Sequence, residues 1–171
     1  MPTGRSPTHE EGALRAKGNT ITPALRKLGD ATNRPFTMQT KEGRIRLQKA
    51  VYLLKATGYA QAQKFDFSIY LNGPYSPELT EVYYLLDDEG LNAVNPAADV
   101  PAETLTLFSE ADSKGNLFLE ALTTAIDGAR SQGQAGVGLD WASAIKPHIP
   151  DETWKGVRLF LRAHPQLIGS T

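Results

Sequence analysis

Three histidines, His9, His148 and His164, are the first residues to weigh for chemistry, because imidazole titrates near neutral pH and ligates metals. Their spacing points away from both uses. No H-x-x-x-H pattern occurs, no acidic partner stands at a fixed offset, and His148 and His164 sit beside prolines at expected helix ends. The carboxylate pairs Glu78 with Glu81 and Asp87 with Asp88 could do acid–base work. On one helix without an accompanying Arg, His or ligand set, they read as a solvated face. The chain has no cysteine, which excludes disulfides, thiolate catalysis and cysteine-held zinc or iron–sulfur centres. The glycine-rich run SQGQAGVG at 131–138 lacks the Gly-Lys-Ser/Thr ending of a phosphate loop and reads as a flexible linker. The expectation is a protein without catalytic residues, metal or cofactor.

The densest punctuation is LNGPYSPEL, residues 71–79, and the elements around it are the clearest in the sequence. Phe65, Phe67, Ile69 and Leu71 alternate with Asp66, Ser68 and Tyr70, the period of a half-buried strand. Asn72, Gly73 and Pro74 end it. Ser76 then stands as a helix N-cap, Pro77 at the first helical position, and Glu78 near the positive helix end. Leu79, Val82, Tyr83 and Leu86 form the buried stripe of a helix closed by Gly90. Upstream, Ile45, Leu47, Ala50, Val51 and Leu54 mark a helix from Arg44 stopped at Gly58, with Arg44, Arg46, Lys49 and Lys55 on its polar side.

The rest reads with less periodicity. Residues 1–20 look like a flexible arm ahead of a single domain at 21–171. Thr22-Pro23 starts a short helix through Leu25 and Leu28 to Gly29, and residues 34–43 read as a loop. Leu91–Val94 and Thr104–Phe108 suggest a small hairpin. Helices are expected over 114–130, 139–145 and 150–163. The fold class is therefore mainly α, a compact helical domain with one short strand or small β-hairpin. Its helix order followed by a hairpin is compatible with a winged-helix arrangement.

Composition excludes other classes. A 40% apolar fraction within 171 residues supports one ordinary core, and no apolar run approaches the roughly 20 residues of a membrane span. No membrane partner is expected. The N-terminus lacks a signal-peptide apolar region, so cytoplasm is the default expectation. The net charge of −1 hides an asymmetry: residues 1–55 hold 11 Lys and Arg against 4 Asp and Glu, and residues 56–129 hold 2 against 12. Either opposite faces serve different partners, or the two segments neutralise one another within the fold.

The combination of Leu47, Gln48, Lys49 and Tyr52 on one helix with Tyr70, Gly73, Pro74, Tyr75, Ser76 and Leu79 at the turn resembles the Panacea domain family. That group includes SocA-like antitoxins and YwgA-like phage-associated proteins. The resemblance covers residues 44–90. Departures are the N-terminal arm, Asn72 at a position often basic or aromatic, and the glycine-rich run at 131–138. It implies a non-enzymatic domain that neutralises an unrelated protein toxin, encoded next to it, by direct binding. Tyr70 and Tyr75 beside the acidic helix carrying Glu78, Glu81 and Asp88 are then the candidate contacts, since tyrosine gives large contact area with a polar tip. The alternative is a winged-helix-like DNA-binding regulator using Arg44, Arg46 and Lys49. The helix over 77–90 would be a poor reader of nucleic acid, having five carboxylates and no Lys or Arg.

Overall fold

A computed structural model describes residues 9–91 and 98–168 of the chain. Its helices are α1 (His9–Thr32), α2 (Lys41–Ala56), α3 (Pro77–Leu91), α4 (Ala102–Asp112), α5 (Asn116–Gln132), α6 (Ala135–Ile145) and α7 (Asp151–Ala163). Strands β1 (Ser68–Tyr70) and β2 (Gly73–Tyr75) form an antiparallel hairpin, Tyr70 paired with Gly73 across a two-residue loop. Short 3-10 turns occupy Ala60–Lys64 and Pro165–Ile168. The domain is mainly helical with one small hairpin. No helix among the described residues is long and apolar enough to cross a membrane.

Two helices are buried on nearly all sides, which sets the architecture. In α2 every residue from Arg46 to Leu54 is buried, and in α5 every residue from Phe118 to Ile126. α1, α4 and the hairpin pack on α2, while α4, α6, α7 and β2 pack on α5. The core runs continuously from Ile21 and Leu25 through Leu47, Val51 and Leu54 to Leu122, Ile126 and Phe160. A stripe-and-solvent pattern describes helices with one buried face. It fails for the central turns of these two, where Arg46, Gln48, Lys49, Glu120, Thr123 and Thr124 are enclosed.

Several local expectations are corrected. α1 begins at His9, inside the segment expected to be an arm, because Gly18 fits against Val82 and Leu86 of α3 and Lys17 pairs with Glu78. Residues 1–8 lie outside the described residues. Pro23 does not start a helix but sits inside α1, where Ile21 to Leu25 are all buried. Their burial outweighs a local cost of about 3 kcal/mol. α1 ends not at Gly29 but at Asn33, which takes φ 56° while Arg34 N–H donates to Gly29 O, an asparagine-closed helix end.

The hairpin expected over Leu91–Val94 and Thr104–Phe108 is not formed by its second half: Thr104–Phe108 lie in α4, with Thr104, Leu107 and Phe108 buried. Leu91 ends α3, and 92–97 lie outside the described residues. The wing of a winged helix is thus missing at its expected place. The hairpin that exists precedes α3. α3 itself is interrupted at Asp87 (φ 54°, ψ −175°), whose carboxylate accepts from Gly90 N–H at 3.1 Å and caps a short second segment.

The run 131–138 is a close helix crossing and not a flexible linker. Only Gly133 and Gln134 separate α5 from α6, and Gly133 supplies φ 72°. A Cβ on Gly138 would overlap the Ala129 backbone, and one on Gly128 would lie 2.6 Å from Trp141 Cε3. Gly138→Val is expected to wedge the helices apart and cost about 2–3 kcal/mol. Gly136→Ala, two residues away in open space, is expected to be neutral or stabilising by up to about 1 kcal/mol. Urea midpoints of the two variants measure the contrast.

Candidate functional site

The β1–β2 hairpin is held from beneath by three side chains from two distant parts of the chain, α2 and the end of α6. Gln48 of α2 brackets its exit: Nε2 donates to Ser76 O at 3.0 Å, and Ser76 N–H donates to Oε1 at 2.9 Å. Lys49 Nζ donates to Pro74 O at 2.8 Å. Lys146, just after α6, donates to the carbonyls of Tyr70 and Leu71, both at 2.7 Å. Gly73 has φ 93°, and a side chain there would strike Thr124 of α5. Ser76 Oγ accepts from Leu79 N–H at 3.2 Å, the N-cap expected from sequence.

Beneath the hairpin lies a buried charge cluster. Glu120 of α5 stands 3.4 Å from Lys146 Nζ and 3.2 Å from His148 Nε2, and it acts electrostatically on Lys49. Burial pushes the Lys49 ammonium down to about 7; Glu120 opposes that and Lys146 adds to it. Sequence spacing showed no acidic partner for His148. The fold supplies one 28 residues away, and it likewise sets His164 3.5 Å from Glu110.

Above the hairpin, a cleft of about 390 Å³ opens between α2, the hairpin and α3. Its rim carries two tyrosine pairs. The Tyr70 and Tyr75 rings have centroids 5.1 Å apart, and those of Tyr83 and Tyr84 are 5.4 Å apart. The inner members are tied to Thr80 Oγ1, Tyr75 at 2.7 Å and Tyr83 at 3.0 Å. The outer members, Tyr70 and Tyr84, are each 55% exposed, and Leu71 at the hairpin tip is 87% exposed.

The residues expected to bind a protein partner are only partly brought together. Tyr70 and Tyr75 lie side by side with their rings tilted 59° to one another, as a joint contact requires. Glu78 is engaged with Lys17, and Asp88 accepts from Thr37 Oγ1 and Met38 N–H, both at 2.7 Å. Glu81 is exposed on α3, but the break at Asp87 removes the helical register that would align it with Asp88. Among the residues expected to touch nucleic acid, Arg46 and Lys49 are buried, correcting their placement on a solvated face. Arg46 binds Asp112 with two N–H groups at 2.8 and 3.1 Å, and Lys49 faces the hairpin. Arg44 stays at the cleft mouth.

The charge asymmetry resolves partly inward. Lys17 with Glu78, Arg34 and Arg46 with Asp112, and Lys55 with Asp66 all join the basic segment to the acidic one. Sequence reasoning missed Lys146 and Glu120, which anchor the tip and its cluster. Lys146 stands just before Pro147 and Glu120 within the strongest apolar stripe; the latter, a carboxylate among Leu119, Ala121 and Leu122, was the available signal. No group of three His, Asp or Glu among the described residues is arranged to hold a metal ion. Compared with known family models, curated proteins and solved structures, the chain matches none of them.

Proposed function

We propose that this chain is a partner-binding protein that neutralises a toxin by direct contact, acting without chemistry of its own, and that the β1–β2 tip makes the central contact. The carrying observation is an exposed apolar tip on an immobilised backbone: Leu71 projects into solvent while its carbonyl and that of Tyr70 are held by Lys146. An apolar side chain held out by a rigid turn loses little conformational entropy on association. Tyrosine beside it adds the amphipathic area typical of interface anchors. The resemblance of residues 44–90 to the Panacea family gives the reading its antitoxin sense. In that reading Gln48 and Lys49 of the leucine-glutamine-lysine helix are the struts of the turn.

Co-expression with each neighbouring reading frame, scored by growth and by co-purification, tests the reading. One neighbour is expected to be toxic alone and to form a stable complex with this chain. Leu71→Asp combined with Tyr70→Ala is expected to weaken that complex at least about tenfold, a loss typical of an interface anchor. The clamp uses backbone carbonyls at both positions, so the fold should persist, as an unchanged melting curve would show. A complex indifferent to the double variant would place the contact elsewhere. Absence of any toxic or co-purifying neighbour would remove the antitoxin reading.

A further inference from the structure

The cleft above the hairpin has a one-sided charge that partner binding at the tip leaves unexplained. Lys41, Arg44 and Lys49 line it, and no carboxylate does among the described residues. Neither Lys41 nor Arg44 pairs with an acidic group among the described residues. Arg44 gives one N–H to Met38 O at 2.8 Å and keeps the rest of its guanidinium fork available.

The hydroxyls of the cleft also leave a donor over. Thr80 Oγ1 has two lone pairs and one proton. Gln48 Nε2 and Tyr83 O–H, both at 3.0 Å, fill the lone pairs. The Thr80 proton then goes to Tyr75 Oη at 2.7 Å, closer than its other acceptor, Ser76 O, at 3.3 Å. Tyr75 therefore accepts in this network, and its own proton has no acceptor among the described residues. The cleft thus offers a phenolic donor, two cations at the mouth and two exposed rings on different walls, Tyr70 on the hairpin and Tyr84 on α3. Its volume lies in the range of small-molecule sites, about 300–1,000 Å³.

We propose that this cleft binds a small aromatic anion, a planar ring system bearing a phosphate or carboxylate. The anion lies at Lys41, Arg44 and the Tyr75 hydroxyl, and the ring lies against Tyr70 and Tyr84. Aromatic faces favour a stacked planar ring, and an uncompensated pair of cations favours the anion over a neutral analogue. The assignment does not rest on the toxin reading: either can hold without the other.

Calorimetric titration of the full chain with AMP, phenyl phosphate, benzoate, inorganic phosphate and adenosine tests it. At least one of the first three is expected to bind saturably, at least about tenfold tighter than inorganic phosphate and adenosine. Comparison of phenyl phosphate with benzoate distinguishes phosphate from carboxylate. Lys41→Glu, at an exposed position, and Arg44→Glu are each expected to weaken binding at least about tenfold, and Tyr75→Phe about threefold to tenfold, with unchanged melting curves. The assignment is overturned if no aromatic anion binds at about 1 mM, if inorganic phosphate binds as tightly as phenyl phosphate, or if binding survives all three substitutions unchanged.

Discussion

Asp112→Ala is expected to lower the unfolding free energy by about 3–5 kcal/mol, because it leaves a buried guanidinium without its counter-ion. Arg46 and Asp112 both have side chains under 5% exposed and meet through two charge-assisted bonds. Arg46 also donates to Arg34 O and Thr32 Oγ1, and its guanidinium lies 4.3 Å from the Phe36 ring centroid. One side chain thereby joins the end of α1, the following loop, α2 and α4. Removing the carboxylate keeps the desolvation of the cation and deletes most of its compensation. For a domain of this size the loss corresponds to a fall in Tm of about 6–20 °C. Arg46→Met with Asp112→Leu is expected to recover much of the loss, since replacing both partners of a buried pair by apolar groups is often neutral. Urea denaturation of the single and double variants reads both outcomes. A single-variant loss under about 1 kcal/mol would mean that water reaches Arg46.

The second large effect is a rise in stability with pH between about 7 and 10. Folded Lys49 releases its proton near pH 7, whereas an unfolded lysine keeps it to about 10.4. Within that window the unfolded chain binds more protons, so the free energy of unfolding increases with pH, by up to about 1.4 kcal/mol per unit. The full change is on the order of 4 kcal/mol, and it is lost progressively as pH falls from about 10 to about 7. Above about pH 10 the trend reverses, because burial raises Tyr52, Tyr59 and Tyr83, which hold protons that the unfolded chain gives up. Lys49→Met should flatten the alkaline rise while preserving the reversal. Urea midpoints from pH 6 to 11 measure the curve, and a wild-type curve that is flat between pH 7 and 9 would show that Lys49 stays charged in the fold.

Periodicity located most helices, and turn chemistry located the handover at Ser76 and Pro77, because those signals are local. What escaped was the side of each helix that the rest of the chain would cover. By charge alone, Arg46 and Lys49 belong in water. Their positions place Arg46 in line with Ala50 and Leu53, and Lys49 in line with Leu53 and Ala56, all apolar and buried. Spacing, not charge, marks the side of α2 on which they lie. The glycines at 128 and 138 failed differently. A glycine marks conformational freedom or close approach with equal force, and only the partner helix decides between them. At the candidate site, the pairing of Tyr70 with Tyr75 was legible as a turn. Tyr83 and Tyr84 of the other pair are adjacent on a helix, where periodicity marks Tyr83 as core and gives no signal for Tyr84.

The Lys146 clamp also bears on the order in which the protein becomes competent during synthesis. Lys146 follows Leu71 and Tyr70 by 75 and 76 residues. At translation rates of 5–20 residues per second, the ammonium leaves the peptidyl-transferase centre about 4–15 s after the hairpin it must grip. Over that interval the nascent chain carries the whole turn sequence with two carbonyls of its tip still solvated. The tip therefore acquires its fixed shape late, after α5 and α6 have been made, so a ribosome-bound fragment ending short of residue 146 displays the segment without its final geometry.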